Sequence, residues 1–168
     1  PIYRNILELL LSGYEVHAMT AIMIYGDQSR EIDALGAAVK LNRLANRPEI
    51  LPNIYPGADT IDLTPLALAP HTFIAFFDDL NAGLFFPHGR AMQWEGHFLF
   101  ATLRGKAARA MGRWCCAALF DYTPAVAIVG QVPLENKPAR IMARAIGCAP
   151  AGRSVDVLGR ACTRYILE

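Results

Sequence analysis

The sequence of 168 residues predicts a mixed α/β fold in a single domain. Strand-like runs that follow one another directly occur early and late in the chain, where they predict hairpins, whereas helical patterns separate the strands in the centre. A hydrophobic fraction of 54% and a charged fraction of 18% are typical of a compact globular protein. A chain of this length can bury a sizeable core.

The composition argues against several classes of protein. A net charge of +1 gives no global basis for binding nucleic acid, and no apolar run approaches the ~20 residues that span a membrane. Arg4 and Glu8 interrupt the N-terminal leucines, so a secretory signal is not expected. The cysteines and histidines show no metal-ligand spacing. We therefore expect a cytoplasmic protein with reduced thiols, with Cys115 and Cys116 packed inside a helix, and no metal site.

The first 70 residues predict helices and one strand. Residues 1–17 are expected to form a leucine-rich helical extension, and residues 14–24 favour a first strand. Ser29 is expected to cap a helix that ends near Asn46. Prolines interrupt residues 48–70, which predicts short helical turns in a wrapping segment. The extension and this segment are the surfaces expected to meet a second subunit if the protein forms a homo-oligomer.

Runs of strand-forming residues bounded by turn signals predict the other strands. They cover residues 71–77, 82–87, 93–100, 125–129, 154–158 and 161–167. The strand over 125–129 is expected to continue over residues 131–136. The first two are expected to form a hairpin around Asp78 to Asn81, and the last two a hairpin around Gly159-Arg160.

Two helices are predicted between the central strands. The first covers residues 106–120 and follows the basic turn Arg104-Gly105-Lys106; the second covers residues 137–146 and ends at Gly147. The predicted sheet-facing side of the first helix consists of Ala107, Ala110, Met111, Trp114, Ala118 and Leu119. Because the free N–H groups of its first turn lie beside a strand end, they favour an anion such as a phosphate. A solvated basic turn is the alternative.

Two motifs in this central region carry a family resemblance. Arg104 to Arg109 partly matches the pattern Arg/Gln-x-x-Gly-x-Gly/Ala. Asn136, Ala139 and Gly147 match a helix that carries Asn-x-x-Ala and, eight residues later, a Gly. The chain resembles the GNAT superfamily of N-acetyltransferases over residues 18–168.

A closer similarity is to the acetyltransferase-like proteins of tailed bacteriophages. It lies in Trp94-Glu95-Gly96-His97 and in the link from Val132 to Asn136. Some positions depart from the family pattern: Ala107 and Arg109 in the loop, Ala143 where many members carry a Tyr that protonates the leaving thiolate, and Cys148 for Phe.

The resemblance implies a twisted, mostly antiparallel sheet whose central parallel strands splay apart. It also implies acetyl transfer from acetyl-CoA to an amine that the sequence does not identify, with the pyrophosphate on the loop N–H groups and the pantetheine arm along a strand edge. The implied cofactor-binding residues are Phe98, Leu99, Phe100, Arg104, Gly105, Lys106, Ala107, Ala108, Arg109, Asn136 and Arg140. Instead of contacting the cofactor, Asn136 could cap its own helix. Arg140 could likewise belong to a solvated helix face.

Such a transfer needs a base, because an ammonium must lose a proton before it attacks. Strand alternation places Gln93, Glu95, His97 and Leu99 on one face. His97 is therefore a candidate base, with Glu95 supporting it or orienting the substrate. Tyr165 is the candidate acid in place of Ala143. The alternatives are that His97 is a structural residue of the sheet, that Glu95 is a surface or ion-paired carboxylate, and that Tyr165 only packs against the sheet.

A second hypothesis retains the fold without efficient catalysis. The departures at Ala107, Arg109 and Ala143 favour a virion or assembly component whose partners would be phage structural proteins. The enzyme is favoured by Glu95 and His97 together with the basic loop, and it is the hypothesis that we prefer.

Overall fold

The computed structural model describes residues 22–25, 34–69, 71–89 and 92–168. The predicted N-terminal extension, most of the predicted first strand and the predicted cap at Ser29 lie outside these residues. None of the described helices is long and apolar enough to cross a membrane.

The described residues form helices and strands in the predicted order. The strands are β1 (Ile22–Tyr25), β2 (Phe73–Phe76), β3 (Asn81–Pro87), β4 (Gln93–Phe100), β5 (Ala127–Pro133), β6 (Ala149–Val155) and β7 (Ala161–Leu167). The helices are α1 (Ala34–Ala45), α2 (Leu51–Ile54), α3 (Thr64–Ala67), α4 (Gly105–Tyr122) and α5 (Lys137–Ala145). The short turns predicted in the proline-rich segment are confirmed as α2 and α3, each of which carries a proline near its start.

All the strands described belong to one sheet in the order β1-β2-β3-β4-β5-β7-β6. Every neighbouring pair is antiparallel except β4 and β5, which are parallel. This arrangement confirms the predicted mixed, mostly antiparallel sheet. It also places the parallel pair at the centre, where the helices that follow β4 and β5 both begin at the same end of the sheet.

Two cores pack on opposite faces of the sheet. On one face, α1 packs on β2, β3 and β4 through Leu41, Leu44, Ile74, Phe76, Leu84 and Leu99. On the other face, α4 packs through Cys115, Cys116 and Leu119 on Phe73, Phe85, Trp94 and Ile128. We call these the α1 face and the α4 face. Because side chains alternate along a strand, neighbouring residues of β4 belong to different cores.

The buried side of α4 matches the predicted one in part: Ala118 and Leu119 are buried as predicted, and Met111 and Trp114 pack at the edge of the α4-face core. Ala108, Gly112, Cys115, Cys116, Ala118 and Leu119 are buried, whereas Ala107, Ala110, Met111 and Trp114 are only partly buried. The reason is steric. A Cβ on Gly83 of β3 would lie 2.6 Å from the Sγ of Cys115, so the helix rests on the sheet through small residues. Trp114 lies at the flank of the helix, where its ring centroid is 5.4 Å from that of Phe77.

Two predicted strands have other bounds in the structure. β6 spans Ala149–Val155 instead of residues 154–158, and it tolerates Pro150 because it is an edge strand with an irregular register between Pro150 and Arg153. β5 spans Ala127–Pro133 without a break at Gly130, instead of residues 125–129 with a continuation over 131–136. Both predicted hairpins are confirmed.

Candidate functional site

The two parallel strands separate after a short paired segment. β4 and β5 are in register only at Gln93 with Ala127, Trp94 with Ile128 and Glu95 with Val129. Both strands continue beyond these pairs, to Phe100 and Pro133, on diverging paths. We call the opening between residues 96–100 and 130–133 the wedge. On the β4 side, residues 96–100 have no strand partner toward β5 among the described residues, so an extended ligand could hydrogen-bond to this edge.

Two glycines lie where the strands part. A Cβ on Gly130 would meet only the carbonyl oxygen of Gly96, at 3.7 Å, so this position leaves the wedge open. A Cβ on Gly96 would lie 2.9 Å from both Ile128 and Phe85, so packing on the α4 face requires glycine there.

The N-terminus of α4 lies beyond the end of β4. The helix begins at Gly105 with φ of +56°, a conformation that favours glycine, and no side chain of the described residues caps it. The first N–H groups of a helix have no intrahelical partner. Gly105 and Lys106 are exposed, Ala107 is partly buried and Ala108 is buried. The first turn of α4 thus has surface backbone N–H groups, and the binding of an anion by them stays a prediction.

The Arg104 side chain is not directed away from the protein as a free phosphate ligand. Its Nη1 donates to the carbonyl oxygens of Phe100 (3.0 Å) and Leu103 (2.8 Å), and its Nη2 donates to that of Ala101 (3.0 Å). The guanidinium therefore holds together the turn between β4 and α4. Its positive charge stays near the helix N-terminus, but its demonstrated contacts are structural. Arg109, one turn later, is exposed.

A buried asparagine fixes the same turn and was missed by sequence reasoning. The Oδ1 of Asn81 accepts hydrogen bonds from the backbone N–H groups of Thr102 (3.2 Å) and Leu103 (3.1 Å), and its Nδ2 donates to Asp78 and to the Thr102 hydroxyl. Asn81 is fully buried. The sequence placed it only in a hairpin turn, because nothing local shows that the turn lies beside residues 101–103.

The N-terminus of α5 lies at the same end of the sheet. Asn136 accepts a hydrogen bond from the N–H of Ala139 at 3.1 Å, which confirms the capping alternative for this residue. Arg140 is partly buried and donates from Nη1 to the Leu134 carbonyl oxygen at 3.1 Å. Its Nε is buried without a hydrogen-bond partner in the described part of the chain. The solvated helix face considered for Arg140 is therefore not what the structure shows.

Side chains of the predicted cofactor strand face the cores. Leu99 is buried on the α1 face, while Phe98 and Phe100 pack against the aromatic residues of the α4 face, with their ring centroids 5.5 Å apart. The backbone groups of Leu99 point toward β3, as those of Gln93 and Ala101 do in the same alternation. Phe98 and Phe100 are therefore the two that could offer backbone groups to a ligand in the wedge, and the Phe100 carbonyl oxygen already accepts from Arg104.

Glu95 and His97 lie at the start of the wedge and are in contact. Glu95 belongs to the last pair before the strands part, and its Oε1 lies 3.0 Å from Nε2 of His97. The ring of His97 stacks on Phe86 with a centroid distance of 5.5 Å and an angle of 14°. The predicted placement of both residues on one strand face is confirmed. The hydrogen bond from His97 is the largest effect on Glu95 and lowers the pKa of its carboxyl group, although burial opposes the shift.

A second histidine completes this cluster and was not predicted. Nδ1 of His88 lies 2.9 Å from Oε2 of Glu95. Pro87 is paired with Trp94, so His88 is positioned diagonally across from Glu95 on the extended hairpin. That register was the available signal, but the predicted strands over 82–87 and 93–100 left residue 88 between them, and the histidines were considered only for a metal-ligand spacing that they do not show.

Tyr165 lies on the other face of the sheet from this cluster. Tyr165 is paired with Gly130 of β5. Leu167, two residues further along β7 and therefore on the same face of the sheet, packs in the α4-face core. The side chain is 1% exposed, and its hydroxyl has no hydrogen-bond partner among the described residues. Tyr165 is therefore close to the point where the strands part, but it approaches that point from the side opposite to Glu95.

The four cysteines are free, and three of them are buried. Burial raises the pKa of Cys116 to about 12 and that of Cys148 to about 11, so both are thiols at neutral pH. The predicted packing role of Cys115 and Cys116 is confirmed by their burial in α4. Among the residues that the structure describes, no cluster of His, Cys, Asp and Glu is suited to hold a metal ion.

Comparison with solved structures gives consistent similarities, whereas no protein-family profile and no curated protein sequence matches the chain. The aminoglycoside acetyltransferase AAC(6')-Ib in complex with coenzyme A is 13% identical, with a TM-score of 0.64 over 88% of this chain and 94% of that one. A GNAT-family acetyltransferase from Bacillus anthracis is 12% identical, with a TM-score of 0.60 over 88% and 95%. The protein yncA from Salmonella typhimurium, solved with its cofactor acetyl-CoA, is 16% identical, with a TM-score of 0.57 over 90% and 94%. The chain therefore has the GNAT fold.

Proposed function

We propose that this protein is an N-acetyltransferase that transfers the acetyl group of acetyl-CoA to an amine. The observation that carries the proposal is the wedge between β4 and β5, with the uncapped N-terminus of α4 beyond the end of β4. An extended thioester with an anionic end fits this combination of an unpaired strand edge and free helix N–H groups.

The chain offers a place for each part of acetyl-CoA. The N–H groups of residues 105–107 would bind the pyrophosphate, with the exposed Lys106 and Arg109 adding positive charge. The backbone groups of Gly96 and Phe98, which point away from β3, would pair with the pantetheine arm. Several neighbours in the structural comparison were solved with coenzyme A or acetyl-CoA, which supports this assignment.

His97 is the proposed base. It is 42% exposed at its side chain, so an ammonium can reach the ring, and Glu95 is hydrogen-bonded to its Nε2. His97 removes the proton, the amine nitrogen then bonds to the acetyl carbon, and the bond from that carbon to sulfur breaks. The thiolate that leaves needs a proton.

Tyr165 is the proposed donor of that proton. Its buried hydroxyl has no partner in the described chain, and it is paired with Gly130 at the start of the wedge. Since the wedge opens between the strands, a base on the α1 face and an acid on the α4 face would act on the two sides of one thioester. This arrangement compensates for Ala143, which is buried and has no acidic group.

The acceptor class is proposed only as a cationic amine. Glu95 supplies a carboxylate beside the base, and an ionised carboxylate favours an ammonium. Kanamycin and ribostamycin, which are bound in solved structures of AAC(6')-Ib, are suitable first amines for a screen.

The virion or assembly role remains the competing proposal and rests on the sequence resemblance alone. Calorimetric titration with acetyl-CoA separates the two, with desulfo-CoA and ATP as controls. We expect saturable binding of acetyl-CoA and desulfo-CoA and much weaker binding of ATP. No binding at millimolar acetyl-CoA would contradict the enzyme proposal and would direct the search to protein partners.

A further inference from the structure

We propose that His88 is a positioning residue for the base. His88 donates its Nδ1–H to Glu95 and holds the carboxylate in place, and the carboxylate in turn determines which nitrogen of His97 carries the hydrogen. This inference rests on the proposed function, in which His97 accepts the proton of the amine. It adds a residue to the site that neither the sequence motifs nor the structural comparisons indicate.

The inference starts from the two oxygens of Glu95. Oε1 lies 3.0 Å from Nε2 of His97, and Oε2 lies 2.9 Å from Nδ1 of His88. An ionised carboxylate only accepts hydrogen bonds, so the nitrogen that faces it on each ring must carry the hydrogen. His97 is thereby the Nε2–H tautomer, and its Nδ1 lone pair is left for a proton from the substrate.

Glu95 is held ionised by the same neighbours. Among the described residues, the charged or titratable groups that face it are His97, from its own strand, and His88, from the loop between β3 and β4. No lysine or arginine of the described chain forms an ion pair with it. The hydrogen bond from His97, with weaker contributions from His88, lowers the pKa of Glu95 against the effect of burial.

His88 is itself fixed in place by the backbone. Its N–H donates to the carbonyl oxygen of Gln93 at 2.8 Å, which extends the β3–β4 ladder by one residue. His97 is fixed on the other side by its stack on Phe86. The carboxylate between the two rings is the least exposed member, with 18% of its side chain accessible against 35% for His88 and 42% for His97. Without His88, Oε2 loses its donor, and the carboxylate can rotate away from His97.

Two substitutions at position 88 test the role. His88→Leu removes the donor, and we expect kcat with a reactive amine to fall by ~10-fold or more while the Kd of acetyl-CoA stays the same. His88→Asn places an amide N–H near the position of Nδ1, and we expect most of kcat to return. His71→Asn removes an exposed histidine elsewhere and is the matched control. An unchanged kcat in His88→Leu, or equal losses in the Leu and Asn variants, would overturn the inference.

A measurement on the unmodified protein tests the geometry without turnover. Long-range proton–nitrogen NMR of the imidazoles distinguishes the tautomers, and we expect His88 to be Nδ1–H and His97 to be Nε2–H above neutral pH. An Nε2–H tautomer at His88 would overturn the inference even if the protein acetylates amines. Failure to bind acetyl-CoA would contradict the proposed function instead, so the two failures are distinguishable.

Discussion

His88 and Glu95 are linked by a hydrogen bond of 2.9 Å between Nδ1 and Oε2. The bond joins the loop after β3 to the last residue of β4 that pairs with β5. It therefore connects the hairpin to the point where the central strands separate. Because His97 occupies the other carboxylate oxygen, Glu95 is the centre of the cluster and its charge state determines both contacts.

Glu95→Gln should destabilise the protein in a pH-dependent way. The pKa of Glu95 is lowered below 4.5 in the folded protein, so its contribution to stability is present above pH 4.5 and is lost as pH falls through the folded-state pKa. We expect a deficit of about 1–3 kcal/mol at pH 6 that shrinks toward pH 3. Urea unfolding of both proteins at the two pH values measures this difference. The other carboxylates are the same in both proteins, so their contributions to the free energy of unfolding cancel in the difference. A deficit that is independent of pH would contradict the prediction.

His97→Ala should separate catalysis from cofactor binding. His97 contacts Glu95 and Phe86 on the α1 face and is not part of the turn that would bind the pyrophosphate. We expect kcat to fall by about 10²–10⁴-fold with an acetyl-CoA affinity close to that of the unmodified protein. Steady-state kinetics and calorimetry give the two quantities. If turnover continues at the original rate, His97 is not the base.

Arg104→Gln should affect both stability and cofactor binding. The substitution removes three hydrogen bonds to the carbonyl oxygens of the turn, and we expect a loss of about 1 kcal/mol, or roughly 2–4 °C in Tm. A less ordered turn and a lost positive charge should also weaken acetyl-CoA binding. Arg109→Gln is the control for charge alone, because Arg109 is exposed and its side chain forms no ion pair within the described part of the chain. Equal effects of the two variants on Tm would show that the carbonyl contacts do not matter.

Local signals allowed most of the central region to be predicted, and tertiary contacts account for what was missed. The start of α4, predicted at residue 106 and found at Gly105, depends on neighbours within a few residues. The same holds for the cap at Asn136, which was one of two roles considered for that residue. The roles of His88 and Asn81 depend on the register of the β3–β4 hairpin and on the path of the turn before α4. The buried side of α4 was predicted only in part, because Cys115 rests on Gly83, a residue of a different element that the pattern within the helix does not reveal.

Tyr165→Phe should reduce catalysis without reducing stability. A buried hydroxyl with no partner costs about 1–3 kcal/mol of desolvation, so its removal should leave Tm equal or higher. If Tyr165 protonates the thiolate, kcat should fall nevertheless. Tyr55→Phe, at an exposed tyrosine, controls for the loss of a hydroxyl. An unchanged kcat would remove Tyr165 from the mechanism, and a large loss of stability would reveal a hydrogen bond to its hydroxyl.

Gly83→Ala and Gly130→Ala should separate packing from the wedge. A methyl group on Gly83 would lie 2.6 Å from Sγ of the fully buried Cys115, so α4 must move off the sheet, and we expect a loss of about 1–3 kcal/mol. A methyl group on Gly130 would meet only the carbonyl oxygen of Gly96 at 3.7 Å, and the fold should tolerate it.

Only Gly130→Ala is informative when acetyl-CoA is titrated. Its added methyl group lies where the strands part, so it should raise the Kd of acetyl-CoA while the urea midpoint stays close to that of the unmodified protein. Gly83→Ala cannot serve as an affinity control, because a shift of α4 would also move the helix N-terminus that would bind the pyrophosphate. If Gly130→Ala binds acetyl-CoA normally, the cofactor does not pass between β4 and β5 at this point.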